Sequence, residues 1–313
     1  MDRMRKSAGW AMSLALGLAA VCGGVSAAPA PDPRPSITGI SHLAVYATDA
    51  AASEHFYTVI LGARKGPDPE DARGVRYYFS PRQFVEVLPA PVRHGPSMLA
   101  HVAYNTADAA GLRSYLAAHG VEAGDLHRGA DGAWFSVDDP EGNSVQFVQP
   151  PTAEITAEPG AISGRIIHVG YMVHDRAKED GFYRRLLGFR PYWFGAMKPG
   201  TTDWVSQQTP DGPDWVEYML VGPGTTTPLN HLDAKELGVL NHLSLGVPNM
   251  EAAMTRLIGE DRLSPRHDGP QMGKDGKWQA NLYDPDGTRV ELMEFQPVTK
   301  PCCSPFTASS PAR

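Results

Sequence analysis

Alternation of apolar and polar positions recurs in four stretches of the chain, and each stretch carries one histidine. They are Ile40-Ser41-His42-Leu43-Ala44-Val45-Tyr46, Leu99-Ala100-His101-Val102-Ala103-Tyr104, Ile166-Ile167-His168-Val169-Gly170-Tyr171-Met172-Val173 and His242-Leu243-Ser244-Leu245-Gly246-Val247. A period of two predicts strands. In the fourth, Leu243, Leu245 and Val247 share one face, and His242, Ser244 and Gly246 share the other. Helical periodicity follows the first three strands, over 50–60, 108–119 and about 177–187. Thr48 or Asp49 caps the first of these helices, and Gly62, Gly120 and Gly188 end the three. Further strands are expected near 74–80, 83–88, 133–137, 144–149, 190–195, 203–207 and 215–220. Residues 222–237 read as a long loop. The last unit, 238–295, closes through the turn Asp284-Pro285-Asp286-Gly287 into a strand where Val290 and Leu292 oppose Glu291.

The chain is therefore four copies of one plan: a strand, a helix, then up to three strands. The period of roughly 50–75 residues is too long for a solenoid repeat. His42, His101, His168 and His242 hold corresponding positions. The closing strands place Glu86, Gln146, Glu217 and Glu291 at 44 to 49 residues after them. One histidine on a strand is ordinarily a core polar group. Four in register with three glutamates point instead to a metal site.

Composition narrows the class. The 313 residues carry a net charge of −7 and no basic tract, which argues against nucleic acid as a partner. Residues 1–28 read as a secretory signal: Arg3, Arg5 and Lys6, then the apolar run 11–21, then Val25-Ser26-Ala27 as a cleavage site. The run is too short for a membrane span, so the mature protein is expected in the periplasm or outside the cell. Residues 29–35 form a Pro-rich linker. After cleavage Cys302 and Cys303 remain, too few for a disulfide framework. They form a vicinal disulfide or a free pair in a Pro/Ser tail, 300–313, which reads as disordered.

At these residues the chain resembles the vicinal oxygen chelate superfamily, which includes glyoxalase I, bleomycin-resistance proteins and extradiol dioxygenases. The most specific pieces are Asp284-Pro285-Asp286-Gly287 leading to Glu291, and Asp139-Pro140-Glu141-Gly142 leading to Gln146. Leu61-Gly62 and Leu187-Gly188-Phe189 after the helices are also typical. The resemblance implies an α+β fold of four βαβββ modules, paired into two domains over about 36–150 and 160–299. It also implies one divalent metal (Zn, Ni, Mn or Fe). Two pairings stay open: first with second and third with fourth, or first with fourth and second with third.

The third and fourth modules offer the fuller ligand set, His168, Glu217, His242 and Glu291. Two imidazoles with carboxylates suit a divalent transition metal. Glu291 or Glu217 is then the proton-transfer base. The first half offers His42, Glu86, His101 and Gln146. This set reads as a second metal site, a substrate pocket or a degenerate scaffold. Trp215, Met219 and Asn281 are candidates for the substrate wall, and His231 and His267 fall in loop-like stretches.

Three functions follow. A glyoxalase-like lyase or isomerase takes a small substrate with vicinal oxygens through metal-stabilised enolate chemistry. An extradiol ring-cleaving dioxygenase uses Fe(II) on His168, His242 and Glu291. A binding protein sequesters a small ligand. Extradiol enzymes resemble one another in a Tyr four residues before the turn Pro and a His upstream of it; here those places hold Asn281 and the stretch Met272-Gly273-Lys274, and Tyr283 is displaced by two. The expected partner is a small molecule, and the pattern leaves room for a homodimer.

Overall fold

The computed structural model describes residues 33–129, 132–151 and 160–312. The signal expected at 1–28 lies outside them. Among the described residues no helix is long and apolar enough to cross a membrane. The first module runs β1 (Ile37–Ala47), α1 (Ala50–His55), β2 (Arg64–Pro67), β3 (Val75–Ser80) and β4 (Gln83–Pro89). The second runs β5 (Leu99–Thr106), α2 (Ala109–Ala118), β6 (His127–Gly129), β7 (Gly132–Asp138) and β8 (Ser144–Gln149). The third runs β9 (Ile166–Val173), α3 (Arg176–Glu179), β10 (Arg190–Gly195), β11 (Trp204–Gln208) and β12 (Trp215–Leu220). After α4 (Ala234–Leu240), the fourth runs β13 (His242–Val247), α5 (Met250–Gly259), β14 (His267–Met272), β15 (Trp278–Tyr283) and β16 (Arg289–Glu294).

Two eight-stranded sheets result, in the orders β2-β3-β4-β1-β5-β8-β7-β6 and β10-β11-β12-β9-β13-β16-β15-β14. The first strand of each module pairs parallel with its last strand, and the two modules of a sheet meet antiparallel through β1–β5 or β9–β13. The first module thus shares a sheet with the second, and the third with the fourth. The crossed pairing left open by the sequence is not the one formed.

Alternation explains which face each strand buries. Leu43 and Val45 of β1, Leu243, Leu245 and Val247 of β13, and Val290 and Leu292 of β16 join the helix residues Phe56, Leu112, Phe182 and Leu257 in one core. That core runs across both sheets. Gln83 ties them further: its side-chain amide donates to the carbonyls of Ile40 (3.1 Å) and Ile166 (2.9 Å), and its oxygen accepts from the Ile166 N–H (2.9 Å). The histidines are left on the opposite face of each sheet.

Several local expectations change. Asp49, not Thr48, caps α1, accepting from the N–H groups of Ala51 and Ala52 at 3.0 Å. Thr48 instead donates its backbone N–H to Asp286. The helix widens after His55 into a π-helical turn, Phe56–Ile60, and α3 does the same over Asp180–Leu186. The stretch read as a loop over 222–237 contains a short 3-10 turn, Leu229–His231, and leads into α4. Asp233 caps α4 by accepting from the Glu236 N–H at 2.9 Å, and α4 buries Leu237 and Leu240.

The tail is the larger correction. Residues 300–312 pack along β10, the edge of the second sheet. The Thr307 N–H donates to the Tyr192 carbonyl (3.1 Å), the Trp193 indole to the Cys302 carbonyl (3.2 Å), and Ser310 meets the Tyr192 hydroxyl (2.6 Å). Phe306 lies on Tyr192, ring centroids 4.9 Å apart. Pro and Ser content signalled disorder, but the open strand edge supplies partners for this backbone. Cys302 and Cys303 form a vicinal disulfide.

Candidate metal centre

In the second sheet, β9, β12, β13 and β16 are neighbours, so His168, Glu217, His242 and Glu291 project from adjacent strands. His168 Nε2 lies 3.0 Å from His242 Nε2 and 3.2 Å from a Glu291 carboxylate oxygen. The ligand atoms of these three residues all fall within 4.8 Å of one another, and all three side chains are buried. Glu217 stands further off. Its carboxylate is 3.8 Å from His242 Nε2 and accepts from the Ser206 hydroxyl at 3.2 Å.

The residues fit a divalent cation. His242 Nδ1 lies 2.9 Å from the Leu240 carbonyl, so it carries the proton and leaves Nε2 with its lone pair facing the cluster. Burial lowers the pKa of both imidazoles, which keeps them neutral and able to ligate. Burial raises Glu291, but the His168 hydrogen bond and the Arg289 charge outweigh it, and the net shift is downward. Burial and the neighbouring Glu291 charge push Glu217 up to about 8, against the pull of Arg289. Two carboxylates and two imidazoles left together without a cation would be an expensive arrangement.

Gly170 sets how closely His242 can approach β9. A Cβ there would sit 2.1 Å from His242 Cε1 and 2.5 Å from Nδ1. The Leu240 hydrogen bond restrains the ring from moving aside. Gly170→Ala should therefore weaken metal affinity by about 10–100-fold, as removal of an orienting partner does. A metal-chelator competition titration, with a melting curve to confirm folding, checks this.

The first sheet repeats the geometry with different chemistry. His42 Nε2 is 2.9 Å from His101 Nε2, and His101 Nε2 is 3.4 Å from Glu86. These three also form a tight group. Gln146 does not complete it. Its amide donates to Glu70 at 2.8 Å, and its oxygen is buried without a partner. A guanidinium is already present: Arg76 is 3.1 Å from Asp68, 2.5 Å from Glu70 and 3.7 Å from Glu86. Burial, then Asp68 and Glu70, push Glu86 up to about 9 despite Arg76, and burial takes His101 down to about 4. Asp68, Glu70 and Arg76 were not singled out from the sequence. The signal was there for Arg76, since Tyr77 and Phe79 enter the core and leave Arg76 on the histidine face.

Of the wall candidates, Trp215 stacks on His168, ring centroids 4.7 Å apart. It lines a cavity of about 80 Å³ together with Glu217, Glu291, Tyr192 and the tail residue Phe306. Met219 instead packs with Val221 and Leu240. It shares the strand face of Glu217 but lies too far along β12 to reach the cavity. Asn281 pairs in register with Glu291, and its side-chain oxygen is buried without a partner. Tyr283 is engaged elsewhere: its hydroxyl donates to Asp268 (2.9 Å) and Arg266 covers its ring. His267 opens β14, exposed, with Nδ1 2.8 Å from the Ser264 carbonyl. His231 ends the 3-10 turn.

Residues 39–147 match the sequence profile of the Glyoxalase/Bleomycin resistance protein/Dioxygenase superfamily, and residues 167–262 match a second profile of the same description. The chain belongs to this superfamily. Its fold is the expected α+β arrangement of two glyoxalase-like domains. Among similar structures, a variant of homoprotocatechuate 2,3-dioxygenase from Brevibacterium fuscum is 19% identical, with 83% of this chain and 72% of that chain covered at a TM-score of 0.62. The 2,3-dioxygenase LapB from Pseudomonas sp. KL28 is 16% identical, with 87% and 97% covered at a TM-score of 0.63. At such identities the likeness concerns the fold. No curated protein matches the chain. Membership supports an enzyme that uses a divalent metal on a small molecule.

Proposed function

We propose that the chain is a metal-dependent enzyme that moves a proton on a small substrate with vicinal oxygens, a glyoxalase-like lyase or isomerase. The observation that carries this reading is the division between a tight triad and a carboxylate standing beside it. His168, His242 and Glu291 are the ligands, and Glu217 is the base. A divalent ion held by the triad supplies Lewis-acid polarisation to the oxygens that chelate it. Glu217 would take the C–H proton from the hydroxyl-bearing carbon alpha to the carbonyl and return it to the former carbonyl carbon, with the hydroxyl proton passing from one oxygen to the other. Ser206 holds the carboxylate in place through its 3.2 Å hydrogen bond. Trp215 and Tyr192 shield that transfer from water along one wall of the cavity.

The extradiol dioxygenase reading is kept because two histidines and one carboxylate on one side of a metal are also the ligand set of non-haem iron oxygenases. Against it, the Tyr position of such enzymes holds Asn281, and Tyr283 is tied to Asp268. The export inferred from residues 1–28 is retained in this proposal, and argues for a substrate other than a glutathione adduct.

Metal analysis of the purified chain, followed by two assays, separates the readings. Proton transfer predicts metal-dependent deuterium incorporation from D₂O at the carbon alpha to the carbonyl of small hydroxyketones, read by proton NMR under argon. Ring cleavage predicts oxygen uptake with catechols and no such exchange. Stoichiometric metal with neither activity would favour a binding protein.

A further inference from the structure

The cavity above the triad ends in basic groups that proton transfer does not use. Arg289 and Lys274 both line it. Arg289 opens β16, two residues before Glu291, and pairs in register with His242. Among the described residues no carboxylate lies within ion-pair distance of Arg289, and its buried Nε has no hydrogen-bond partner. A third cation lies behind the aromatic wall. Lys277 is fully buried, and its Nζ has no hydrogen-bond partner. It sits 4.7 Å from the Trp215 ring centroid and 5.2 Å from that of Phe306. Burial takes its pKa down to about 8, with Asp275, Glu291 and Glu217 opposing.

The charges do not cancel once the triad holds a metal. A bound divalent ion favours the ionised forms of Glu217 and Glu291 and is offset by them, and Asp275, two residues before Lys277, offsets that lysine. Arg289 and Lys274 then have no acid to answer them. A buried guanidinium N–H without an acceptor is costly in the free protein. The cost is recovered when a ligand brings the acceptor.

We propose that the substrate is a small organic acid whose carboxylate docks on Arg289 while its vicinal oxygens face His168, His242 and Glu291. This rests on the metal-enzyme reading above and adds the substrate's charge to it. The planar fork of a guanidinium matches a carboxylate through two parallel N–H···O bonds. Lys274, exposed at the rim, draws anions toward the mouth. Lys277 adds positive potential from behind Trp215 without touching the ligand.

Gallate and methyl gallate make the test, since they share the vicinal oxygens and differ in charge. Isothermal titration of the metal-loaded full chain should show gallate binding about 10-fold or more tighter than the ester, the scale expected for a charge-assisted pair. Arg289→Gln should bring gallate down to the affinity of the ester, with ester affinity and metal content unchanged. Arg289→Lys, which keeps the charge and loses the fork, should recover part of the preference. Equal binding of acid and ester to the wild type overturns the proposal. So does a preference for gallate that survives in Arg289→Gln. If both ligands bind the metal-loaded and metal-free chain alike, the chelation reading fails, and the substrate class fails with it. A preference for gallate that appears only with metal supports both.

Discussion

Glu291→Gln is expected to strip the metal from the second domain. The carboxylate is buried and lies 3.2 Å from His168 Nε2, at the centre of the only group of three ligands there that closes to within 4.8 Å among the described residues. Gln keeps the shape and one oxygen but loses the charge that a divalent ion needs. Changing an outer partner of a metal ligand typically costs 10–100-fold in affinity, and loss of a ligand's charge should exceed about 100-fold. The first domain shows the same exchange within the chain: Gln146 occupies the corresponding place, and its amide is turned to Glu70. Elemental analysis after dialysis at neutral pH should find wild-type protein loaded and Glu291→Gln empty. The melting temperature of the variant should also stop responding to added metal, because a ligand stabilises only the state that binds it. His242→Ala should behave alike. His42→Ala should leave this metal in place, since His42 belongs to the other sheet. Retention of metal in Glu291→Gln would remove the proposed centre.

Much of this site was legible because a strand has a period of two. Leu243 and Leu245 enter the core, so His242 faces away from it; Val290 and Leu292 do the same for Glu291. The regular spacing from each histidine to its closing carboxylate or amide is the chain length that one βαβββ unit needs to return beside its first strand. The division of roles between Glu217 and Glu291 was not legible. It depends on how β12 and β16, which are separated in the sheet by β9 and β13, set their side chains relative to the histidines, and alternation gives only the face. Met219 shows the same limit, since it has the right face and the wrong position along β12. The Arg76 cluster was hidden because Asp68 and Glu70 lie in a connection whose path no periodicity describes. The tail was misread because composition measures what a segment can bury alone. Phe306 buries itself against Tyr192, which is more than a hundred residues earlier in the chain.

Glu217→Gln is expected to do the opposite of Glu291→Gln: keep the metal and lose the proton transfer. Glu217 is 3.8 Å from His242 Nε2, further than the 3.0 and 3.2 Å contacts that His168 makes with His242 and Glu291, and it falls outside the 4.8 Å group. Its position is held by Ser206, whose hydroxyl can donate equally to the oxygen of a Gln side chain. The substitution therefore preserves the wall of the cavity and removes one thing, a carboxylate able to accept a proton. General-base contributions of this kind are worth about 10²–10⁴ in rate. Deuterium exchange on the hydroxyketone should fall by that factor, while metal content stays at the wild-type level. The loss should appear in kcat with little change in KM, because the base acts in the transition state and does not hold the substrate in the ground state. Ser206→Ala should cost less, since it loosens the carboxylate without removing it. Should Glu217→Gln lose metal as Glu291→Gln does, Glu217 is a fourth ligand and the base must be sought elsewhere. Full exchange in a metal-loaded Glu217→Gln variant would eliminate it as the base.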